Sequence, residues 1–244
     1  MMGLDKLKEL LSNSSYVVFF GGAGVSTESN IPDFRSENGI YNTITKYGRS
    51  PEEILSRTFF MANPAVFYDF YRSSMIFTDA KPNKAHRALA EMEKEDKLKA
   101  VITQNIDGLH QLAGSREVLE LHGSVHRNYC MKCKEKYGLE FVLGSSEAVP
   151  RCEKCGGIVR PDVTLYEENL DMQVMTKSID HIRKADMLIV GGTSLAVYPA
   201  AGLIDFYSGN RLVLANKSET PYDRRANLII HESIGKVLGD VLEI

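Results

Sequence analysis

Short apolar runs that alternate with helical segments restrict the fold of this chain more than any other feature of its sequence. The apolar runs cover residues 16–20, 100–102, 118–121, 163–166, 187–192, 212–215 and 228–230, and helical patterns cover about 4–13, 84–97, 171–184 and the segment from 234. A strand that is apolar on both faces must be covered on both faces, which is typical of a parallel sheet between two helical layers. The sequence therefore predicts a doubly wound α/β domain.

Two segments interrupt this alternation. Residues 38–81 contain aromatic residues at helical spacing and no strand pattern, and residues 126–157 contain all four cysteines. We expect these segments to form a helical module and a cysteine module of a second, smaller lobe. Residues 1–37, 82–125 and 158–244 would then form the sheet domain, and a cleft between two lobes is a common place for a ligand.

Composition and charge exclude several classes of protein. Hydrophobic residues make up 43% of the 244 residues and the net charge is −3, as in an ordinary globular chain and unlike a disordered one. This charge implies no broad basic surface, so we expect no nucleic-acid partner. No apolar run approaches the ~18 residues of a membrane span, and the first residues indicate an amphipathic helix. We therefore expect a cytoplasmic protein without a membrane segment. Disulfides rarely persist in the cytoplasm.

The four cysteines form two pairs with the same internal spacing, Cys130-x-x-Cys133 and Cys152-x-x-Cys155. A two-residue spacing lets both thiolates of a pair reach one ion, and two such pairs supply four sulfurs for tetrahedral Zn²⁺. Four sulfurs fill the coordination sphere, so the metal would be structural. A redox pair or unrelated thiols are the alternatives.

A glycine-rich turn, residues 21–27, directly follows the first predicted strand. Its small residues would let backbone N–H groups approach a pyrophosphate at a helix N-terminus. Thr27 stands where a dinucleotide-binding GxGxxG pattern would have its third glycine. The turn alone is a weak signal, and an ordinary strand-to-helix turn is the alternative.

Polar residues follow several other predicted strands. Gln104, Asn105 and Asp107 come after the strand at 100–102, and His122 follows the run at 118–121. In an open parallel sheet the carboxyl ends of the strands line the ligand crevice, so these side chains suit hydrogen bonds to a ribose and an amide. A histidine there could act as a general base, although a packed or capping histidine is the alternative.

Taken in order, GAGVS, IPDFR, TQNIDGLH, LHG, the paired CxxC knuckles, GTSLAVYPA and the late Asn216 span nearly the whole chain. This series closely resembles the sirtuins, the NAD-dependent protein lysine deacylases, in their bacterial-type, short single-core form. The resemblance implies a Rossmann-like doubly wound parallel sheet with a smaller lobe of a helical module and a zinc-ribbon module. It also implies NAD⁺ as co-substrate and one structural Zn²⁺ on Cys130, Cys133, Cys152 and Cys155.

The resemblance also assigns roles to single residues. It implies His122 and Asn105 as catalytic residues. The acyl oxygen of the modified lysine would attack the anomeric carbon of the NAD ribose as nicotinamide leaves. His122 would then activate a ribose hydroxyl that attacks the imidate intermediate, giving free lysine and O-acyl-ADP-ribose. It implies an acyl-lysine tunnel lined by Phe34, Tyr166, Val197 and His122, with the peptide between the loops near 164–168 and 195–197. The implied NAD contacts are Gly22, Ala23, Gly24, Thr27, Phe34, Arg35, Gln104, Asn105, Ile106, Asp107, His122, Thr193, Ser194, Asn216, Ser233 and Ile234.

Two departures from the sirtuin patterns bear on substrate choice. Many sirtuins read Phe-Gly-Glu where this chain reads Tyr166-Glu167-Glu168, so Glu167 would either favour basic residues beside the target lysine or be a solvated side chain. Sirtuins that remove succinyl and malonyl groups carry a Tyr and an Arg three residues apart, which correspond to Tyr71 and Ser74 here. Without that cation a buried acyl carboxylate would lie unpaired, so we expect uncharged acyl groups, acetyl first.

Other functions remain alternatives at this stage. An NAD-dependent mono-ADP-ribosyltransferase and a noncatalytic NAD-binding module both fit the cofactor motifs. A zinc-ribbon nucleic-acid binder is conceivable, but Glu135, Glu147 and Glu153 offset the lysines near the first cysteine pair. We expect acetylated proteins or peptides as partners, and a monomer.

Overall fold

A six-stranded parallel sheet forms the centre of the larger part of the molecule. The computed structural model describes residues 2–32 and 44–244. Its strands are β1 Val17–Gly21, β2 Leu98–Thr103, β3 Val118–Glu120, β4 Gly123–Cys130, β5 Lys136–Tyr137, β6 Val159–Val163, β7 Met187–Gly191, β8 Leu212–Ala215 and β9 Leu228–Ile230. The large sheet has the order β3-β2-β1-β7-β8-β9, and all its pairs are parallel. This is the strand order of a Rossmann-type fold.

Helices cover both faces of this sheet, as the apolar strands predict. The helices are α1 Met2–Ser12, α2 Ile44–Tyr47, α3 Pro51–Ile54, α4 Arg57–Ala62, α5 Pro64–Ser74, α6 Lys84–Lys94, α7 Leu109–Ala113, α8 Leu139–Gly144, α9 Met172–Lys184 and α10 Ile234–Leu242. Val18 and Phe20 pack in a buried cluster with α9, whereas Val17 and Phe19 pack in another with α1, α6 and α10. Since all four side chains are fully buried, each contributes about 1.5–3 kcal/mol of hydrophobic stabilisation. The doubly wound prediction is confirmed.

The helices between residues 44 and 74 pack around aromatic side chains. The rings of Phe60 and Phe67 meet edge to face with centroids 4.8 Å apart, and Phe67 stacks on Tyr71 at 5.5 Å. The Tyr68 hydroxyl donates to the carbonyl oxygen of Val159, on strand β6. Helices α4 and α5 therefore share one core with the cysteine-bearing part of the chain.

A second, three-stranded antiparallel sheet has the order β5-β4-β6. It begins at Gly123 and ends at Val163, so it extends beyond the segment 126–157 at both ends. The cysteine spacing marks the two cysteine turns but not the strands that support them. The apolar run 163–166 does not form a strand of the large sheet. Of its residues only Val163 lies in a strand, and that strand is β6 of the small sheet.

The helices in the two described ranges include none that is long and apolar enough to cross a membrane.

Candidate active site

The strand order reverses between β1 and β7, and the turns that follow these two strands touch each other. The backbone N–H of Gly24 donates to the carbonyl oxygen of Gly192 at 2.8 Å. A Cβ on Gly24 would lie 2.8 Å from the Cα of Gly192. Gly192 has φ +61, and a Cβ there would lie 2.4 Å from the backbone nitrogen of Val25. Both turns therefore require glycine, and they create a crevice at the switch point where open α/β sheets bind ligands.

The predicted phosphate-binding residues lie in the first of these turns. Gly22, Ala23 and Gly24 follow β1, and two short 3₁₀ helices, Ala23–Val25 and Thr27–Ser29, continue the chain. The Thr27 hydroxyl donates to the carbonyl oxygen of Gly24 at 3.0 Å, which fixes the turn. Thr27 thus stabilises the turn by this bond. In a GxGxxG pattern a glycine at this position would instead let the helix pack closely against the strand.

Polar side chains that follow three strands form two hydrogen-bonded groups at the same edge of the sheet. The Asn105 amide donates to the Ser26 hydroxyl at 3.0 Å, and that hydroxyl donates to Asp107 at 2.7 Å. The Gln104 amide donates to Thr193 at 3.0 Å, so the β2 and β7 ends are linked. The sequence analysis predicted these residues except Ser26, although Ser26 is part of the GAGVS motif.

His122 follows β3 and is partly buried. Its Nδ1 lies 2.8 Å from the carbonyl oxygen of Gln104, and because a carbonyl only accepts, Nδ1 carries the proton. The Nε2 of the neutral ring is then free to accept a proton. Burial lowers the pKa of His122, and the bond to Gln104 opposes this in part. The side chain is therefore neutral near pH 7 and could serve as a general base.

The other half of the crevice is formed by β8 and the start of α10. The Asn216 Oδ1 accepts from the backbone N–H of Thr193 at 2.8 Å. Its buried Nδ2 has no hydrogen-bond partner in residues 2–32 and 44–244, so a donor is available there for a ligand. Ser233 precedes α10 and its hydroxyl donates to the Glu28 carboxylate at 3.2 Å, whereas the Ile234 side chain is buried in the sheet core.

The remaining predicted NAD- and peptide-contacting residues lie in several different parts of the chain. Phe34 and Arg35 lie outside the described residues. The Ile106 carbonyl accepts from the backbone N–H of Val125 at 3.0 Å, and Ser194 is exposed in the turn after β7. Tyr166 is 43% exposed and Val197 is partly buried, each in one of the two loops predicted to flank a peptide.

The four cysteines meet at one point, as their spacing predicts. Their sulfurs all lie within 4.8 Å of one another, and the pairs Cys130–Cys155 and Cys133–Cys152 have Sγ atoms 3.5 Å apart. Four sulfurs bound to one zinc ion at about 2.3 Å lie about 3.8 Å apart, whereas a disulfide needs about 2.05 Å. A Cβ on Gly157 would lie 2.9 Å from Cys130 Sγ, so the glycine leaves room for the cluster. The cluster could hold one zinc ion.

A parallel sheet of this strand order, with paired glycine turns at its switch point, defines a dinucleotide-binding protein of Rossmann type. A family model described as the Sir2 family matches residues 22–199, and the chain belongs to this family. The sirtuin resemblance and the fold class are thereby confirmed. The family is NAD-dependent, and the glycine turns and the open Asn216 donor fit that cofactor.

Relatives and solved structures agree with this assignment. The NAD-dependent protein deacetylase of Clostridium acetobutylicum is 60% identical over 245 residues, covering 99% of this chain and all of that protein. The enzyme of the same name from Clostridium tetani is also 60% identical, covering 97% of this chain and 96% of that one. A structure of Sir2 with a deacetylated p53 peptide and 3′-O-acetyl-ADP-ribose has a TM-score of 0.91 at 39% identity, covering 99% of this chain and 98% of that one. Sir2Tm bound to a propionylated peptide has a TM-score of 0.87 at 39% identity, covering 98% and 97%.

Proposed function

We propose that this protein removes acetyl and other uncharged acyl groups from lysine side chains of proteins, with NAD⁺ as co-substrate, giving nicotinamide and O-acyl-ADP-ribose. The observation that carries this proposal is the hydrogen-bonded group of Asn105, Ser26 and Asp107, with His122 beside it, at the crevice of the glycine turns. Relatives that match over 96–100% of their length are named NAD-dependent protein deacetylases, which supports the proposal.

The residues around the switch point would bind the co-substrate. The backbone of Gly22, Ala23 and Gly24 and the turn fixed by Thr27 would hold its phosphates. Gln104 and Asn105 would bind the reacting ribose, and Asp107 with Ile106 the carboxamide. Phe34 and Arg35 would cover the reacting end, and the adenosine half would lie against Thr193, Ser194, Asn216, Ser233 and Ile234. Bound NAD⁺ supplies the anomeric carbon that takes the acyl oxygen as nicotinamide leaves.

His122 would then work as the general base. Its Nε2 would take the proton of a ribose hydroxyl while Nδ1–H stays bonded to the Gln104 carbonyl. This bond fixes the ring orientation and the tautomer, so no rearrangement precedes proton transfer. Asn105 would act beside it by orienting the same ribose.

The acylated peptide would lie between the loops at 164–168 and 195–197, with Phe34, Tyr166 and Val197 around the acyl-lysine. Acetylated proteins or peptides are the partners this site would take, and we propose a cytoplasmic monomer. The sirtuin structures solved with p53 peptides support a peptide as substrate.

The surroundings of Tyr71 support a preference for uncharged acyl groups. Tyr71 is fully buried and stacked on Phe67. The Arg72 guanidinium donates to the carbonyl oxygens of Val142, Glu147 and Ala148, so this cation is already engaged. Arg72 would therefore not be free to pair with a succinyl carboxylate near Tyr71, and an unpaired buried carboxylate is costly.

A mass-spectrometric time course with an acetyl-lysine peptide, with and without NAD⁺, tests the proposal. We expect deacetylation only with NAD⁺ and one O-acetyl-ADP-ribose per lysine released. A matched succinyl-lysine peptide should react with a lower kcat/KM. No reaction of the folded, zinc-loaded protein with acetyl or longer uncharged acyl peptides would contradict the proposal, and ADP-ribosylated protein would favour mono-ADP-ribosyl transfer.

A further inference from the structure

Glu167 has a backbone conformation that is uncommon for a residue with a side chain. Its φ is +74, in the left-handed region that glycine adopts most easily. The residue lies in the loop 164–168, and the first N–H of this loop, from Thr164, donates to the carbonyl oxygen of His122 at 2.9 Å. The loop is therefore directly attached to the proposed catalytic histidine.

The loop is also attached to the helical part of the smaller lobe. Tyr166 pairs with the segment before α4: its N–H donates to Leu55 and its carbonyl accepts from the N–H of Arg57, both at 3.0 Å. The Glu167 carboxylate extends this contact by accepting from the N–H of Thr58 at 2.9 Å and from the Thr58 hydroxyl at 2.7 Å. The N–H of Thr58 is in the first turn of α4, where the helix itself supplies no acceptor.

Glu168 holds the other side of the same loop. Its carboxylate accepts from Arg160 on β6 at 2.7 Å and from the N–H of Leu165 at 3.0 Å. Two consecutive carboxylates thus bind different elements, Glu167 to α4 and Glu168 to the three-stranded sheet. A cavity of about 510 Å³ borders both residues and also Leu121 and Gly123, the neighbours of His122. The conformation of Glu167 therefore sets where the loop lies relative to the reacting site.

We propose that Glu167 is a positioning residue for the acyl-peptide substrate, because its bonds to Thr58 hold the loop 164–168 in the shape that receives the peptide. This inference rests on the proposed function, which places the peptide along this loop. The Glu167 carboxylate has a partner within the protein, because its Oε2 accepts both bonds from Thr58. The same bonds lower the pKa of Glu167, which keeps the carboxylate ionised at neutral pH.

Steady-state kinetics of three variants test this role. Glu167→Asn keeps a residue that tolerates the left-handed conformation but is too short to reach Thr58. We expect KM for an acetyl-lysine peptide to rise about three- to fivefold, with KM for NAD⁺ and kcat within twofold of wild type. Glu167→Gln keeps the length and one acceptor oxygen, so it should restore KM for the peptide to near the wild-type value.

Thr58→Ala removes the hydroxyl donor and should raise KM for the peptide less than Glu167→Asn does. In the Glu167→Asn background it should have no further effect, because the bond is already lost. Glu95→Asn, at an exposed carboxylate that ends α6, is the matched control and should change nothing.

An unchanged KM for the peptide in Glu167→Asn, or equal changes in KM for NAD⁺ and in kcat, would overturn the positioning role alone. A wild-type protein without NAD-dependent deacetylation would overturn the proposed function and this inference together.

Discussion

Replacing Gly24 by alanine tests whether the two glycine turns at the switch point must touch. The added Cβ would lie 2.8 Å from the Cα of Gly192 and 2.9 Å from its carbonyl oxygen. Both are backbone atoms, which cannot rotate away as the end of a flexible side chain can. The turns must therefore separate by several tenths of an ångström, and the 2.8 Å bond from Gly24 N to Gly192 O must lengthen.

The size of the effect follows from this clash. Forcing one methyl group into a packed interior costs about 1–3 kcal/mol of the free energy of unfolding. In a chain of this size each kcal/mol lowers Tm by about 2–4 °C, so we expect Tm to fall by about 2–12 °C. The displaced turn also carries the proposed phosphate contacts. We expect KM for NAD⁺ to rise about tenfold, which corresponds to about 1.4 kcal/mol of lost binding.

Thermal unfolding followed by circular dichroism, and initial rates at varied NAD⁺ with saturating acetyl peptide, measure these two quantities. Gly144→Ala is the matched control, since its Cβ would meet no atom within 4 Å and it ends the short helix α8. Alanine there should leave Tm unchanged or slightly higher, because glycine is a poor helix former. A Gly24→Ala variant with the Tm and KM of wild type would refute the argument that these turns need glycine.

Three further predictions concern the base and the metal. His122→Ala should still bind NAD⁺ in calorimetry but keep no more than a few percent of wild-type turnover. In the wild type, kcat/KM should be constant near pH 7 and fall at lower pH, with an inflection below 6.5. Burial lowers the pKa of His122, and only the neutral ring accepts a proton. An inflection above pH 7 would contradict this. Chelation that removes the zinc, or Cys152→Ser, should lower Tm and abolish deacetylation together, checked by metal analysis of the same samples.

The parts of the fold that the sequence could predict depend on short-range patterns. The apolar runs at 187–192 and 212–215 correspond to β7 and β8. A strand that is covered on both faces needs apolar side chains on both, so its sequence reads as a continuous apolar run. The strand ends met at one edge because parallel strands share their direction, so Gln104 and Thr193 could be predicted to lie together. They do, at 3.0 Å.

Other features depend on contacts between distant segments, which no local pattern records. Ser26 lies between Asn105 and Asp107 because the turn after β1 folds back onto the end of β2. The run at 163–166 ends a strand of the small sheet because β6 pairs with β4, and the apolar pattern carries no information about the partner strand.

The same distinction explains why an unfavourable residue can occupy position 167. From the sequence alone, Glu167 adds a carboxylate where a glycine would allow the turn without strain. Only the folded chain brings Thr58 beside it, 109 residues away along the sequence, and supplies two hydrogen bonds that offset the backbone cost. A residue with a side chain can thus occupy a left-handed position because a distant residue binds its side chain. The location of that distant residue indicates the role of the position. Here the partner belongs to the helical part of the smaller lobe, and the loop belongs to the proposed substrate cleft. The bond therefore ties the loop that would line one side of the substrate cleft to the helical part of the smaller lobe.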